Sequence, residues 1–236
     1  MNDRPTIAIV GGGVAGALTA IHLSRSDSPP RVVLIDREAR FARGVAYSTT
    51  SSAHLLNVTA ARLSAFPDDP DHFLRWVRAR LDASTPADAF LPRRVYGDYV
   101  AGLLADACTS GAGRVVERVC AAAIDLHPGL PCRVRLDTGA VVTADAVVVA
   151  LGNPPPRHPS VREGSGLYRS RRYTANPWLE SGLDTIEPNT DVLLVGSGLT
   201  MYDVALSLRQ RGHTGTIHAV SRRGLRPRSH AAHPFR

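Results

Sequence analysis

Residues 11–16 read GGGVAG, which puts Gly11, Gly13 and Gly16 in the spacing Gly-x-Gly-x-x-Gly, and a carboxylate stands at Asp36, 20 residues beyond Gly16. The chemistry this pattern serves is the holding of a dinucleotide pyrophosphate. The first glycine permits a tight turn, the second lets backbone approach the phosphates, and the third allows close packing of helix on strand. The amides of Val14 and Ala15, at the start of the following helix, would face the phosphates. Asp36 suits an unphosphorylated ribose, whose hydroxyls a carboxylate can bind, and Arg37 beside it joins the candidate cofactor site. A glycine turn serving packing alone is the competing reading. The strand before it, the helix after it and the acid at the right distance favour the nucleotide.

A second turn, Gly196, Ser197, Gly198 and Leu199, repeats the design with Met201 where the third glycine would stand. At the end of its second strand are Ser221, Arg222 and Arg223 instead of an acid. A carboxylate there would repel a 2′-phosphate, whereas a guanidinium binds it bidentately, so the expected cofactor is NADPH, with NADH less favoured. A structural β-α turn and a solvated basic strand end remain open as alternatives.

The elements that must position these residues are legible in the hydrophobic pattern. TIAIV (6–10) and RVVLID (31–36) are buried strands flanking an amphipathic helix, which makes one β-α-β unit. Residues 40–110 break the alternation as an inserted, site-forming segment with helices over 71–81 and 97–108. Residues 114–143 read as an antiparallel meander, and DAVVVALGN (145–153) returns to a parallel-sheet strand ending in Gly152. The run NPPPRHP (153–159) is a stiff linker, since consecutive prolines end helix and sheet alike. The expected fold is α/β: two Rossmann-like dinucleotide-binding units and a β-meander, with domains at 1–155 and 156–236 and the second unit incomplete, two strands where about three are needed. Its unpaired edge is expected to leave the second half unstable, with weak NADPH retention and little turnover unless a companion chain or further sequence completes the sheet.

The composition, 44% hydrophobic and 21% charged, is that of an ordinary globular chain. All 28 basic residues are arginine, so the net charge of +7 reflects a compositional bias more than a polyanion partner, and chemistry needing a lysine amine is excluded. Nucleic acid and membrane are therefore not expected partners. No apolar run is long enough to span a bilayer and the start of the chain lacks a signal-peptide pattern, so the cytoplasm is the expected compartment. Cys108, Cys120 and Cys132 are too far apart for dithiol chemistry and read as buried small hydrophobes. No metal site is expected.

Two nucleotide units separated by a meander and a glycine-ended strand resemble the two-dinucleotide flavoproteins, and more closely the bacterial FAD-NAD(P)-binding family that includes urate hydroxylase-type proteins. The likeness is carried in order by GVAYST (44–49), HLLNV (54–58), LSAF (63–66), HFLRW (72–76), RRVYGDY (93–99), ALGNPPP (150–156), GSGLTMYDVALSL (196–208) and GHTGTIHAVSRRGL (212–225). The amino-acid N-hydroxylating monooxygenases are a more distant resemblance. The family's LLNVPA stands here as LLNVTA, so Thr59 replaces a turn-fixing proline. The resemblance implies FAD in the first unit with Gly152 beside the flavin, NADPH in the second, and monooxygenase or hydroxylase chemistry on a small-molecule substrate. It also implies a continuation beyond Arg236. His54, Asn57 and Ser64 fall where the family lines the isoalloxazine; taken singly, residues of these types more often serve ordinary hydrogen-bonded roles, and Tyr96 and Tyr99 are more often core than catalytic. A flavin-linked dehydrogenase, an NADPH oxidase and a non-catalytic FAD-binding chain, alone or as a homo-oligomer, are the alternatives.

Overall fold

The apolar run at the start of the chain forms strand β1 (Thr6–Val10), followed by helix α1 (Val14–Ser24) and strand β2 (Arg31–Asp36). This computed structural model describes residues 4–109, 115–159, 166–179 and 182–228, and the chain divides into two units, Met1–Pro154 and Pro155–Arg236.

In the first unit the chain continues through α2 (Gly44–Tyr47), α3 (His72–Arg80), α4 (Arg93–Thr109), β3 (Val116–Cys120), β4 (Ala123–His127), β5 (Cys132–Leu136), β6 (Val141–Ala144) and β7 (Ala146–Val149). A parallel sheet of order β3-β2-β1-β7 forms the centre, with Ile9 opposite Leu34 on one side and Val148 on the other. Strand alternation divides its side chains between two layers. Ile9, Val32, Leu34 and Val116 face Ala17, Ala20 and Ile21 of α1 and Tyr99, Val100 and Leu104 of α4. Ala8, Val33 and Ile35 face Val134, Leu136 and Ala144 of the antiparallel sheet β4-β5-β6. Each branched aliphatic side chain so buried contributes about 1.5–3 kcal/mol.

Three features differ from expectation. Residues 116–120 do not belong to the meander: they pair in parallel with β2, from Val32↔Val116 to Asp36↔Cys120. The small pair Ala121-Ala122 then carries the chain to the antiparallel sheet, with the Ala121 amide donating to the Asp36 carbonyl at 2.8 Å. Helix α4 is accordingly the crossover that two parallel neighbours require, so part of the 40–110 segment is integral to the sheet's own topology. The cysteines, finally, are not buried: Cys120 is exposed and Cys108 and Cys132 are partly so, all as free thiols. Cys120 ends an edge strand, which no further strand among the described residues covers.

In the second unit β8 (Val192–Val195) and β9 (Ile217–Val220) pair in parallel around α5 (Leu199–Gln210), as the second turn requires. Val192, Leu194 and Ile217 pack with Leu183, Val204 and Leu208, while Leu193, Val195 and Val220 are exposed. Among the described residues no helix is long and apolar enough to cross a membrane.

Candidate functional site

The first glycine turn is built by contacts that each exclude a side chain for a different reason. Gly11 has φ +109°, and a Cβ there would lie 2.1 Å from the carbonyl oxygen of Ala150. A Cβ on Gly16 would lie 1.9 Å from the Gly11 carbonyl oxygen, so α1 sits directly on the turn. Gly12, which the motif leaves unassigned, is pressed against Phe41, with a would-be Cβ 2.6 Å from its ring. Gly13 differs: its nearest neighbour would be the Gly44 Cα at 3.7 Å. The chain therefore has room for a Cβ at Gly13, unlike at Gly11, Gly12 and Gly16. Gly13 is also the N-cap of α1 and supplies no side-chain cap, leaving first-turn amides at Val14, Ala15 and Gly16 for an anion.

Asp36 does more than close β2. One carboxylate oxygen accepts the Gly12 amide at 2.6 Å and the other the Glu38 amide at 2.9 Å. A carboxylate has about four lone-pair directions, so capacity for a ribose hydroxyl remains. The Ala150 amide donates to the Val10 carbonyl at 2.8 Å, bringing the 150–152 segment against the turn. Gly152 is exposed with φ +68°, and Arg37 is exposed. The structure thus gathers Gly11–Gly16, Asp36 and Ala150 at the carboxyl ends of β1, β2 and β7, where open α/β sheets bind ligands.

In the second unit Gly196 has φ +115°, and Gly198 caps α5 without a side-chain hydrogen bond. A Cβ on Gly198 would meet nothing within 4 Å, so this turn too is open above its second glycine. The hydroxyls of Ser197 and Ser221 are hydrogen-bonded at 2.8 Å, and Ser197 also donates to the Leu225 carbonyl. This link between the turn and the strand end, which sequence spacing did not signal, places Ser221 beside the turn with Arg222 and Arg223 exposed next to it.

The remaining candidates are spread over the helical segment. His54 is 3% exposed, with Nδ1 2.7 Å from the Thr49 hydroxyl. Asn57 is exposed. Ser64 donates to the Asp69 carbonyl at 2.7 Å and accepts the Phe66 amide at 3.0 Å, lining a small cleft of about 220 Å3 with Arg62, Phe66 and Pro70. Beside it the Tyr99 hydroxyl lies 2.7 Å from Nδ1 of His72 within a cluster of Phe66, Phe73, Trp76 and Tyr96. Burial raises both tyrosines, Tyr96 to about 12, so both keep their hydroxyl protons near neutrality. Among the described residues no group of three His, Cys, Asp or Glu could hold a metal ion.

Burial also holds His72 below its ordinary value, against an opposing pull from Asp69. A histidine depressed in the folded state contributes stability that is present above its unfolded pKa of about 6.5 and is lost as pH falls through the folded value. Thermal unfolding midpoints should therefore fall on acidification from pH 7. The variant His72→Asn should lose about 1 kcal/mol at neutral pH, from the Tyr99 hydrogen bond, and show a shallower acid slope. Equal slopes for the two proteins would exclude His72 as a source of the acid sensitivity.

The model of the family described as FAD-NAD(P)-binding matches residues 8–154. No match was found among curated proteins. Among solved structures, the ornithine N-hydroxylase of Kutzneria sp. 744, in a form with reduced FAD, NADP+ and L-ornithine, is similar with a TM-score of 0.64 and 17% identity over 92% of this chain and 53% of that one. The S-allyl-L-cysteine S-oxygenase of Allium sativum has a TM-score of 0.64 and 16% identity, over 98% and 54% of the respective chains. A flavin monooxygenase from Stenotrophomonas maltophilia has a TM-score of 0.58 and 18% identity, over 93% and 58%. At these identities the likeness is one of fold, and the chain spans little more than half the length of each structure.

Proposed function

Because the chain belongs to the FAD-NAD(P)-binding family, we propose that its first unit holds the ADP half of FAD within an NADPH-dependent flavin oxidoreductase that hydroxylates or oxygenates a small molecule. The observation that carries this reading is the first turn, where Gly11 and Gly16 are closed off by backbone while a Cβ on Gly13 would meet only Gly44, at an ordinary 3.7 Å. The amides of residues 13–16 bind the pyrophosphate, Asp36 takes the ribose, and Arg37 and Gly152 flank the cofactor. In the second unit Gly196, Ser197, Gly198 and Leu199 meet the NADPH pyrophosphate, and Ser221, Arg222 and Arg223 its 2′-phosphate. When bound, the flavin supplies the two-electron and oxygen chemistry, and the protein supplies orientation and exclusion of water. The likeness of residues 44–76 and 93–99 to urate hydroxylase-type proteins supports hydroxylation over plain dehydrogenation, with His54, Asn57 and Ser64 on the flavin side.

Two measurements test this. The purified protein should show a flavin absorption spectrum and release FAD, identified by mass; NAD alone, or no nucleotide after incubation with FAD, would overturn the assignment. Replacing Arg222 and Arg223 together with glutamine should weaken NADPH at least tenfold and leave NADH nearly unchanged, since charge-assisted phosphate contacts contribute roughly 1.5–3 kcal/mol each. Equal losses for both nucleotides would show the cluster to be a solvated face.

A further inference from the structure

We propose that the Ser197 hydroxyl is the positioning group for 2′-phosphate discrimination in the second unit: it holds the loop that carries Arg222 and Arg223 against the glycine turn, through a link that contains no charge. The proposal rests on the NADPH reading given above and adds to it the group that sets the selectivity. Both units tie the glycine turn to the end of the second strand at the same two places. The Gly11 amide donates to the Ile35 carbonyl at 2.8 Å, and the Gly196 amide to the Val220 carbonyl at 2.8 Å. The second tie joins residues 24 positions apart in each unit, Gly12 with Asp36 and Ser197 with Ser221. In the first unit it runs from a backbone amide to a carboxylate at 2.6 Å, and in the second between two hydroxyls at 2.8 Å. A carboxylate at the strand end would repel a 2′-phosphate, so a unit that takes one must either lose this tie or build it from neutral groups. The second unit builds it from neutral groups.

The protons of this link are all spoken for. Each serine has a single O–H to give. The Leu225 carbonyl can only accept, and it takes the proton of Ser197. The contact between the two hydroxyls then takes the proton of Ser221, whose oxygen accepts the Gly224 amide at 3.1 Å. Gly224 has φ +62°, the left-handed backbone that lets the chain double back so that Leu225 reaches the glycine turn. One side chain, Ser197, thus clasps the loop at both ends, at Ser221 and at Leu225. Arg222 and Arg223 lie between the two attachment points and are exposed. The reading of residues 221–223 is refined accordingly: Ser221 shapes the loop, and the two guanidiniums make the charged contacts. A loop held in place before the nucleotide arrives loses less conformational freedom on binding, so the clasp favours the nucleotide that uses the loop and does little for one that does not.

The test is calorimetric titration of NADP+ and of NAD+ into the full 236-residue chain with FAD in excess, for the wild type, Ser197→Ala and Ser197→Thr. The two nucleotides differ only in the 2′-phosphate, so any change in the pyrophosphate contacts of residue 197 cancels in the ratio of their affinities. The wild type should prefer NADP+. Ser197→Ala should lower that preference about fivefold, the effect of a net hydrogen bond and the ordering it saves, and Ser197→Thr, which keeps the hydroxyl, should retain it. Should Ser197→Ala fail to fold, as judged from its thermal unfolding trace, Ser197→Gly takes its place, glycine being what the first unit carries at this position. An unchanged preference in the hydroxyl-free variant, or a preference lost equally in Ser197→Thr, overturns the proposal. The two readings fail differently. A wild type that binds NADP+ and NAD+ equally, or binds neither, sinks the NADPH assignment and the role of the clasp together. A wild-type preference for NADP+ that survives removal of the hydroxyl leaves the NADPH assignment standing and removes the clasp alone.

Discussion

Gly13→Val is expected to leave the first unit folded and to strip it of flavin. The backbone at Gly13 is extended, with φ −65° and ψ −173°, a region any L-residue adopts. A Cβ there meets the Gly44 Cα only at 3.7 Å, an ordinary van der Waals distance. The protein itself therefore accepts a Cβ at this position. The pyrophosphate does not, because its phosphates must come within hydrogen-bonding distance of the amides that a branched side chain would cover. Retained FAD should drop at least hundredfold in affinity, measured as flavin absorbance after exhaustive dialysis, while the unfolding midpoint of flavin-free protein stays near that of the flavin-free wild type. Wild-type flavin occupancy in Gly13→Val would show that the cofactor approaches from elsewhere.

Gly16→Ala, only three positions away and chemically milder, should do the opposite: damage the fold first and the cofactor as a consequence. Its Cβ would fall 1.9 Å from the Gly11 carbonyl oxygen, and that oxygen belongs to backbone held by β1 and β2, so it cannot rotate aside as a flexible side chain would. Relief requires α1 to move off the sheet, which opens the contacts of Ala17, Ala20 and Ile21 with Ile9, Val32 and Leu34. Overpacking of a well-filled core costs typically 1–3 kcal/mol, and loss of helix docking adds to it, against a total stability of about 5–15 kcal/mol for a domain. Denaturant unfolding of the flavin-free chain should show a loss of about 3 kcal/mol or more. A midpoint within experimental error of wild type would mean that α1 and β1 are not packed as described. The corresponding position of the second unit is Met201, a side chain where the first unit admits none.

Much of this was legible in the sequence, and the parts that were not share a cause. Strands β1, β2, β7, β8 and β9 are short apolar runs bounded by glycine, acid or proline, signals that are local and survive without knowledge of partners. The destination of residues 116–120 is not local. Half-buried alternation is the same for the edge of a parallel sheet and for a meander, and only pairing with β2 separates them. For the same reason α4 looked like part of an insertion until the strand it leads to was placed. The ion pair of Arg43 with Asp98 spans 55 positions, and the hydroxyl pair of Ser197 and Ser221 spans 24. Neither residue type carries a signal of its own in a chain rich in arginine and serine. The exposure of Cys120 follows from the sheet's edge, which no count of cysteines reveals.

The hydrogen bond from the Gly12 amide to Asp36 has a kinetic meaning as well. The turn is fixed by the protein's own groups: the Gly11 amide donates to the Ile35 carbonyl, the Gly12 amide to Asp36, and the Gly12 carbonyl accepts from Ala42. None of these bonds awaits a ligand, so the conformational entropy of ordering the loop is spent once, during folding. A dinucleotide then needs no further ordering of this turn, and the expected capture is a single diffusional encounter. Differences in residence time between nucleotides would accordingly reside in how fast each leaves, set by the contacts of its phosphates and ribose, while rates of arrival stay nearly common to all.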